Sequence, residues 1–162
     1  MSDTPTIEFS LAKPHHGQQL AEMSRRLVES GLPWWNWTPK RVGKAIRNRD
    51  NITLLARVGK RIAGFALIHV GEERGHLYLL AVEPEFRRLG IARDLIIWLE
   101  ESCQVAGVLR IELEVRSANE GALRFYRSLG FDVSAQIPRY YCGREAATRM
   151  TKAIADLDYL PS

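Results

Sequence analysis

Cysteine is scarce in this chain: Cys103 and Cys142 are the only two, and they do not stand at the spacing of a metal-ligand pair. A disulfide framework and a structural zinc site are therefore excluded as sources of stability, and both thiols are expected reduced and packed. No apolar run approaches the roughly 20 residues that a membrane helix needs. The stretch from Met1 to Ser10 carries Asp3 and Glu8 and has no basic segment leading into an apolar one. No secretory leader is read there, and a cytoplasmic setting is expected. The common nucleotide signatures are missing too. There is no Gly-x-x-x-x-Gly-Lys followed by Ser or Thr, and no Gly-x-Gly-x-x-Gly follows a strand pattern. His15 and His16, beside Pro14, have no partners at metal or triad spacing, so they read as surface residues and no metal is expected.

What the chain does have is ordinary globular composition, 46% hydrophobic and 26% charged in 162 residues. That length suits one domain, 1–162, large enough to bury a core, and no repeat or linker divides it. The net charge is +4, which favours anionic partners in general. Between Thr38 and Arg61 stand Lys40, Arg41, Lys44, Arg47, Arg49, Arg57, Lys60 and Arg61 against Asp50 alone. Two readings stay open there: a solvated helix face and hairpin, or a docking patch for an RNA-containing partner such as a ribosome, or for an acidic one.

Hydrophobic periodicity gives the order of elements. Ile7–Leu11 alternates as a first strand. Pro14 suits the first turn of a helix carrying Leu20, Met23, Leu27 and Val28, which Gly31 and Pro33 end. Thr38-Pro39 reads as a hydroxyl cap and first-turn proline for a short basic helix ending near Asn48. Asn51–Val58 and Arg61–Val70 flank the hairpin signal Gly59-Lys60, and a turn at Gly71–Gly75 leads into His76–Val82, an antiparallel meander. After Pro84 the period becomes helical: Ile91, Leu95, Trp98, Leu99 and Cys103 share a face, and Gly107 closes the helix. Leu109–Val115 is a strand, Ser117–Leu129 a helix, and Phe131–Tyr141 and Arg144–Ala153 two final strands. The fold class is α/β (an α+β mixed sheet), in the order β-α-α-β-β-β-α-β-α-β-β, with helices on both faces.

Three segments carry chemistry. In the first, Leu80 to Arg93, a strand runs through a turn directly into a helix, whose first amides lack partners and lie at the positive end of its dipole. A pyrophosphate would be well held there. Gly90 and Ala92 let phosphate oxygens approach the backbone, and Arg87, Arg88 and Arg93 add charge. Taken alone, a plain helix start with surface arginines fits as well. In the second, Leu109–Val115, the aliphatic residues face one way and Arg110, Glu112 and Glu114 the other. An exposed polar face with Arg110 paired to Glu112 is the expectation for Glu112. In the third, Ser117 and Glu120 read as a capping box that puts Asn119 in the first helical turn. Ala122, Phe125, Tyr126 and Leu129 form an apolar stripe that turns Tyr126 inward, and Gly130 stops the helix.

Arg87-x-x-Gly90-x-Ala92 after a strand resembles the acetyl-CoA pyrophosphate loop of the GNAT superfamily of N-acetyltransferases, and Ala81-Val82-x-Pro84 resembles that family's strand end. Asn119-x-x-Ala122-x-x-Phe125-Tyr126-x-x-Leu129-Gly130-Phe131 resembles its second signature. Leu113–Asn119, the Phe125-Tyr126 pair and Ile137–Tyr141 are similar to the bacterial ribosomal-protein-alanine N-acetyltransferases. The resemblance covers roughly 51–150, and the Pro33-Trp34 region has a counterpart. It implies a GNAT fold and acetyl-CoA as cosubstrate. Its contacts fall to Leu80, Ala81 and Val82 along the pantetheine arm, to Arg87, Arg88, Leu89, Gly90, Ile91, Ala92 and Arg93 at the pyrophosphate, and to Asn119. It also implies Glu114 as general base and Tyr126, beside the thioester sulfur, as general acid. The chain departs from the family at Trp34-Trp35-Asn36-Trp37, in the basic second helix, and in a tail from Ala153 to Ser162.

The expected reaction is direct acetyl transfer to a primary amine, best a protein N-terminal α-amine. Such an amine, with a pKa near 7.7–8.0, is partly neutral near pH 7, whereas lysine near 10.4 is not. A modest base then suffices, Glu114 with its pKa raised by partial burial. Amides near Leu80–Val82 are expected to polarise the thioester carbonyl. Proton donation from Tyr126 to a thiolate is uphill by about 1.5 pKa units. Neither cysteine is placed for a covalent step. For the tryptophans at 34, 35 and 37 two readings stay open: core or loop packing, or the walls of an acceptor groove. Two alternatives remain: a small-molecule amine acetyltransferase of the same fold, and a CoA-binding or RNA-associated module without turnover.

Overall fold

A computed structural model describes residues 4–154. The tail departure noted in the sequence therefore lies, from 155 onward, outside the described residues, as do Met1–Asp3. The strands are β1 (Ile7–Leu11), β2 (Asn51–Val58), β3 (Arg61–Val70), β4 (Arg74–Val82), β5 (Arg110–Arg116), β6 (Asp132–Tyr141) and β7 (Glu145–Ala153). The helices are α1 (Gly17–Leu27), α2 (Pro39–Arg47), α3 (Ile91–Val105) and α4 (Glu120–Ser128). This is the order that periodicity predicts, and the sheet is mixed. Its strands run β1-β2-β3-β4-β5-β7-β6, antiparallel throughout except where β4 meets β5.

A central sheet covered on both faces needs strands apolar on both sides. β3 is such a strand: Ile62 to Ile68 is buried without a break. Ala63, Ala66 and Ile68 join the core under α3 and α4 with Leu95, Leu99 and Phe131. Phe65 and Leu67 join the core under α1 and α2 with Leu20, Met23 and Val42.

The helix boundaries follow local chemistry. Thr38 caps α2 by accepting a hydrogen bond from the Arg41 amide through Oγ1, with Pro39 in the first turn. Pro14 opens a single tight turn, Pro14–His16, and α1 proper begins at Gly17. His16 corrects its reading as a surface residue. It is buried, its Nδ1 accepts from the Lys13 amide at 2.9 Å, and Nε2 lies 3.0 Å from an Arg57 guanidinium nitrogen. Burial and the neighbouring His15 and Arg57 charges hold its pKa below the usual histidine value.

Candidate active site

The parallel pairing of β4 with β5 runs only from Arg74↔Arg110 to Leu77↔Leu113. Beyond it the strands part. The cause is a bulge: the β3–β4 register jumps from Ile68↔Leu77 to Leu67↔Leu79, so Tyr78 has no partner on β3. An extra residue bends a strand and exchanges its faces. Leu77 accordingly belongs to the core under α3, while Leu79 and Ala81 belong to the core under α1 and α2. Along Tyr78–Val82 the edge of β4 that faces β5 has no strand partner among the described residues. The gap is a cleft of about 130 Å³, lined by Leu80, Glu114, Asn119, Ala122, Tyr126 and Tyr141 among others.

At the end of β4 the chain turns through Pro84–Phe86 into α3. Arg88 (φ 68°) and Gly90 (φ 77°) both take the left-handed conformation, which curls the backbone at the helix entrance. Only glycine adopts it without strain, and a side chain at Gly90 would project into open space. Among the described residues no acceptor meets the amides of Arg88 to Arg93, and no side chain caps the helix. Arg87, Arg88 and Arg93 are exposed around this entrance, Leu89 and Ala92 are half-buried, and Ile91 anchors the first turn in the core. Curled free amides, a helix N-terminus and three guanidinium groups are features suited to an anion.

Across the cleft, Asn119 rather than Ser117 is the N-cap of α4; its Oδ1 accepts from the Ala122 amide at 3.1 Å. Ser117 instead bonds Thr148 and Gln136, so the capping box read from Ser117 and Glu120 does not form. Tyr126 is buried between Phe125 and Phe131, as its stripe requires, and still lines the cleft. Burial, with the neighbouring Tyr141, raises its pKa well above that of a free phenol.

Glu114 differs from its expectation in one respect. Burial pushes its carboxyl up, but the hydrogen bonds and charges of His76 and Arg149 outweigh this and leave it below the usual carboxylate value. His76 Nε2 lies 2.6 Å from Glu114 Oε2, and Arg149 Nε and Nη2 lie 3.0 Å from Oε1. Glu112 is neither exposed nor paired with Arg110. It is buried, 2.7 Å from Arg149 and 3.0 Å from Arg74. Residue type and spacing placed these carboxylates on one face, but their partners come from β4 and β7, which no local pattern joins to β5.

Glu114 also lines a second cavity, of about 260 Å³, with Trp37, Arg41, Tyr78, Tyr140, Tyr141 and Cys142. Its outer wall is the connection between α1 and α2, held by a carboxylate that the sequence did not single out. Glu29 is buried; its Oε1 accepts from the Asn36 and Trp37 amides at 2.7 and 3.1 Å, and its Oε2 from Ser24 Oγ at 2.9 Å. The three tryptophans of this connection differ in their settings. Trp35 packs on the core with Arg25 over its ring, Trp37 lines the cavity, and Trp34 is exposed. Cys103 is buried in α3, where burial pushes its thiol up to about 11. Cys142 shares the cavity lining with Glu114, and its Sγ meets Asn36 Nδ2 at 3.5 Å. Both cysteines are free.

Comparison with known proteins agrees with this architecture. The model of the acetyltransferase (GNAT) family matches residues 11–131. The [ribosomal protein bS18]-alanine N-acetyltransferase of Salmonella typhimurium is 37% identical over 81 residues, which is 50% of this chain and 55% of that protein. The N-terminal acetyltransferase B complex catalytic subunit of Arabidopsis thaliana is 33% identical over 102 residues, 60% of this chain and 59% of that protein. The chain thus spans little more than half the length of these relatives. The crystal structure of the ribosomal-protein-S18-alanine N-acetyltransferase from Escherichia coli superimposes with a TM-score of 0.82 at 25% identity, covering 97% of this chain and 100% of that one. With most of its length matched by the family model, the chain belongs to the GNAT acetyltransferase family.

Proposed function

We propose that the protein transfers acetyl from acetyl-CoA to a primary amine, and that the acceptor is the N-terminal α-amine of a protein. The observation that carries this reading is Glu114's position on the shared wall of the two cavities, one of which holds Tyr126. The names of the relatives in Salmonella typhimurium and Arabidopsis thaliana support a protein N-terminus as acceptor. A cytoplasmic setting goes with it, since new N-termini are exposed there.

The residues present fit the cosubstrate. The free amides from Arg88 to Arg93, with the guanidinium groups of Arg87, Arg88 and Arg93, would hold its diphosphate. Leu80, Ala81 and Val82 offer an unpaired strand edge to the pantetheine amides, and Asn119 keeps its side-chain N–H groups for the cleft once Oδ1 is spent on the cap. Acetyl-CoA supplies the acetyl group as an activated thioester. Glu114 accepts the proton of the incoming amine, directly or through one water. His76, hydrogen-bonded to it, opens on a separate bowl lined by His69, Glu73, Arg74 and Arg110, and is placed to pass that proton to solvent. A carboxylate held below its usual pKa is a weak base, and this favours an acceptor that is already partly neutral, as an α-amine is near pH 7. Tyr126 holds its proton more firmly than the free phenol does, so it acts as a hydrogen-bond donor into the cleft until strong negative charge develops beside it.

The basic stretch from Thr38 to Arg61 supports association with RNA or a ribosome through charge alone. Lys40, Lys44, Arg47 and Arg49 are exposed, and Arg61 is engaged by Glu85 at 2.9 Å.

Thiol release from acetyl-CoA in the presence of alanine-initiated peptides tests the reading. Release should depend on peptide, and mass spectrometry should find the acetyl group on the α-nitrogen. Turnover with small amines but no peptide would replace the acceptor reading. Thiol release from neither, with CoA still bound, would mean a module without turnover.

A further inference from the structure

The acceptor cavity has one cation in its lining, Arg41, and among the described residues Arg41 has no carboxylate partner. Its guanidinium lies 3.8 Å from the Trp37 ring centroid, with one long contact, 3.4 Å, to the Asn36 carbonyl. The other charges of the lining are committed. Glu114 is taken by His76 and Arg149, and both oxygens of Glu29 by Ser24 and by backbone amides. Arg41 is exposed, and a guanidinium stacked on an aromatic face, with donors to spare, is a receptor for a carboxylate.

The ring spacings bound how far from its amine an acceptor would carry that carboxylate. Glu114, Tyr78, Trp37 and Arg41 line the cavity wall. His76, outside the lining, bonds Glu114 and stacks 4.5 Å from Tyr78, Tyr78 lies 5.5 Å from Trp37, and Trp37 lies 3.8 Å from the Arg41 guanidinium. An extended peptide advances roughly 3.4 Å per residue. With its amine at Glu114, two or three residues and a side chain bridge this wall. A free amino acid, whose carboxylate adjoins its amine, does not. The remainder of α2 extends the field outward through Lys40 and Lys44, with no acidic residue on the helix.

Building on the N-terminal acetylation proposed above, we infer that Arg41 selects acceptors with an acidic side chain at their second or third residue. The side-chain carboxylate meets the Arg41 guanidinium while the α-amine meets Glu114. Trp37 holds the guanidinium in place, and Tyr140, close enough to feel the Arg41 charge, lines the same cavity.

The test uses the full chain and peptides that begin with alanine and differ only at residue two or three: Asp, Asn or Lys. The Asp peptides should show a KM about tenfold below the Asn peptides, and the Lys peptides the highest. Arg41→Ala should bring the Asp/Asn ratio of kcat/KM to about one, and Arg41→Glu should invert the order toward Lys. Raising salt should shrink the wild-type ratio, because the site is open to solvent. Each ratio is taken within one variant, so partial loss of folded enzyme cancels. An Asp/Asn ratio that survives Arg41→Ala, or Lys peptides acetylated as well as Asp peptides by the wild type, overturns the inference and leaves N-terminal acetylation standing. Acetylation of free amino acids with peptides ignored overturns both.

Discussion

The two cavities that meet at Glu114 are built in different ways. The residues proposed to hold the cosubstrate come mostly from two short continuous segments, Leu80 to Arg93 and Ser117 to Phe131, each a passage from a strand into a helix. The acceptor side is assembled from the α1–α2 connection, the bulge in β4, the face of β5 and the β6–β7 turn, segments far apart in sequence. A diphosphate is recognised by backbone amides, and a backbone conformation needs only a few neighbouring residues to specify it. An acceptor is recognised by side chains meeting across strands. The difference teaches that cosubstrate and acceptor recognition should be separable by substitution.

The largest expected effect lies where the two sides meet. Glu114→Gln and Tyr126→Phe should each lower kcat by about a hundredfold or more, with both KM values little changed. Stopped thiol-release assays measure this, and an undiminished rate in either variant removes that residue from the chemistry. Next, Gly90→Val places a branched residue in the left-handed region at a strain of roughly 1–2 kcal/mol and fills the open space at the helix entrance. It should raise the acetyl-CoA KM by about tenfold or more while leaving the peptide KM alone. Trp37→Ala should do the opposite: a peptide KM higher by about tenfold from lost aromatic contact, with acetyl-CoA unaffected. If each substitution moved both KM values equally, the division into two sides would be broken.

The smallest effect concerns pH. The folded pKa of Glu114 lies below its ordinary 4.5. Its contribution to stability is therefore complete above that value and is lost as pH falls through the lower folded one. Denaturant melts of wild type and Glu114→Gln should thus differ by a constant amount from pH 7 down to about 5, then converge on further acidification. In the pH profile, kcat/KM should rise toward the acceptor's α-amine pKa near 8, without a carboxylate limb between pH 5 and 7. Such a limb would mean that Glu114 is not held down by His76 and Arg149.

The contrast between the two sides also explains what could be read in advance. Element order and most boundaries follow from periodicity, because the aliphatic face of Ile111, Leu113 and Val115 and the stripe of Ala122, Phe125 and Tyr126 are local facts. The Gly90 turn is equally local. The Glu112 and Glu114 partners were not legible: Arg74 and His76 precede the strand by more than thirty residues and Arg149 follows it by as many. Spacing alone made Arg110 the natural partner of Glu112, but the two side chains share a face without meeting. Glu29 escaped notice because a buried acid that binds backbone amides leaves no periodic trace. Asn119 took the cap from Ser117 because β7 claims the serine through Thr148.

In the proposed reaction the parting of β4 and β5 aims a thioester between a carboxylate and a phenol. Diffraction from crystals grown with CoA and an alanine-initiated peptide tests it most directly. The diphosphate is expected on the amides of Arg88 to Arg93, the sulfur beside the Tyr126 hydroxyl, and the peptide nitrogen within direct or one-water reach of Glu114. Pantetheine running outside the β4–β5 gap, or a peptide nitrogen remote from Glu114, would contradict it.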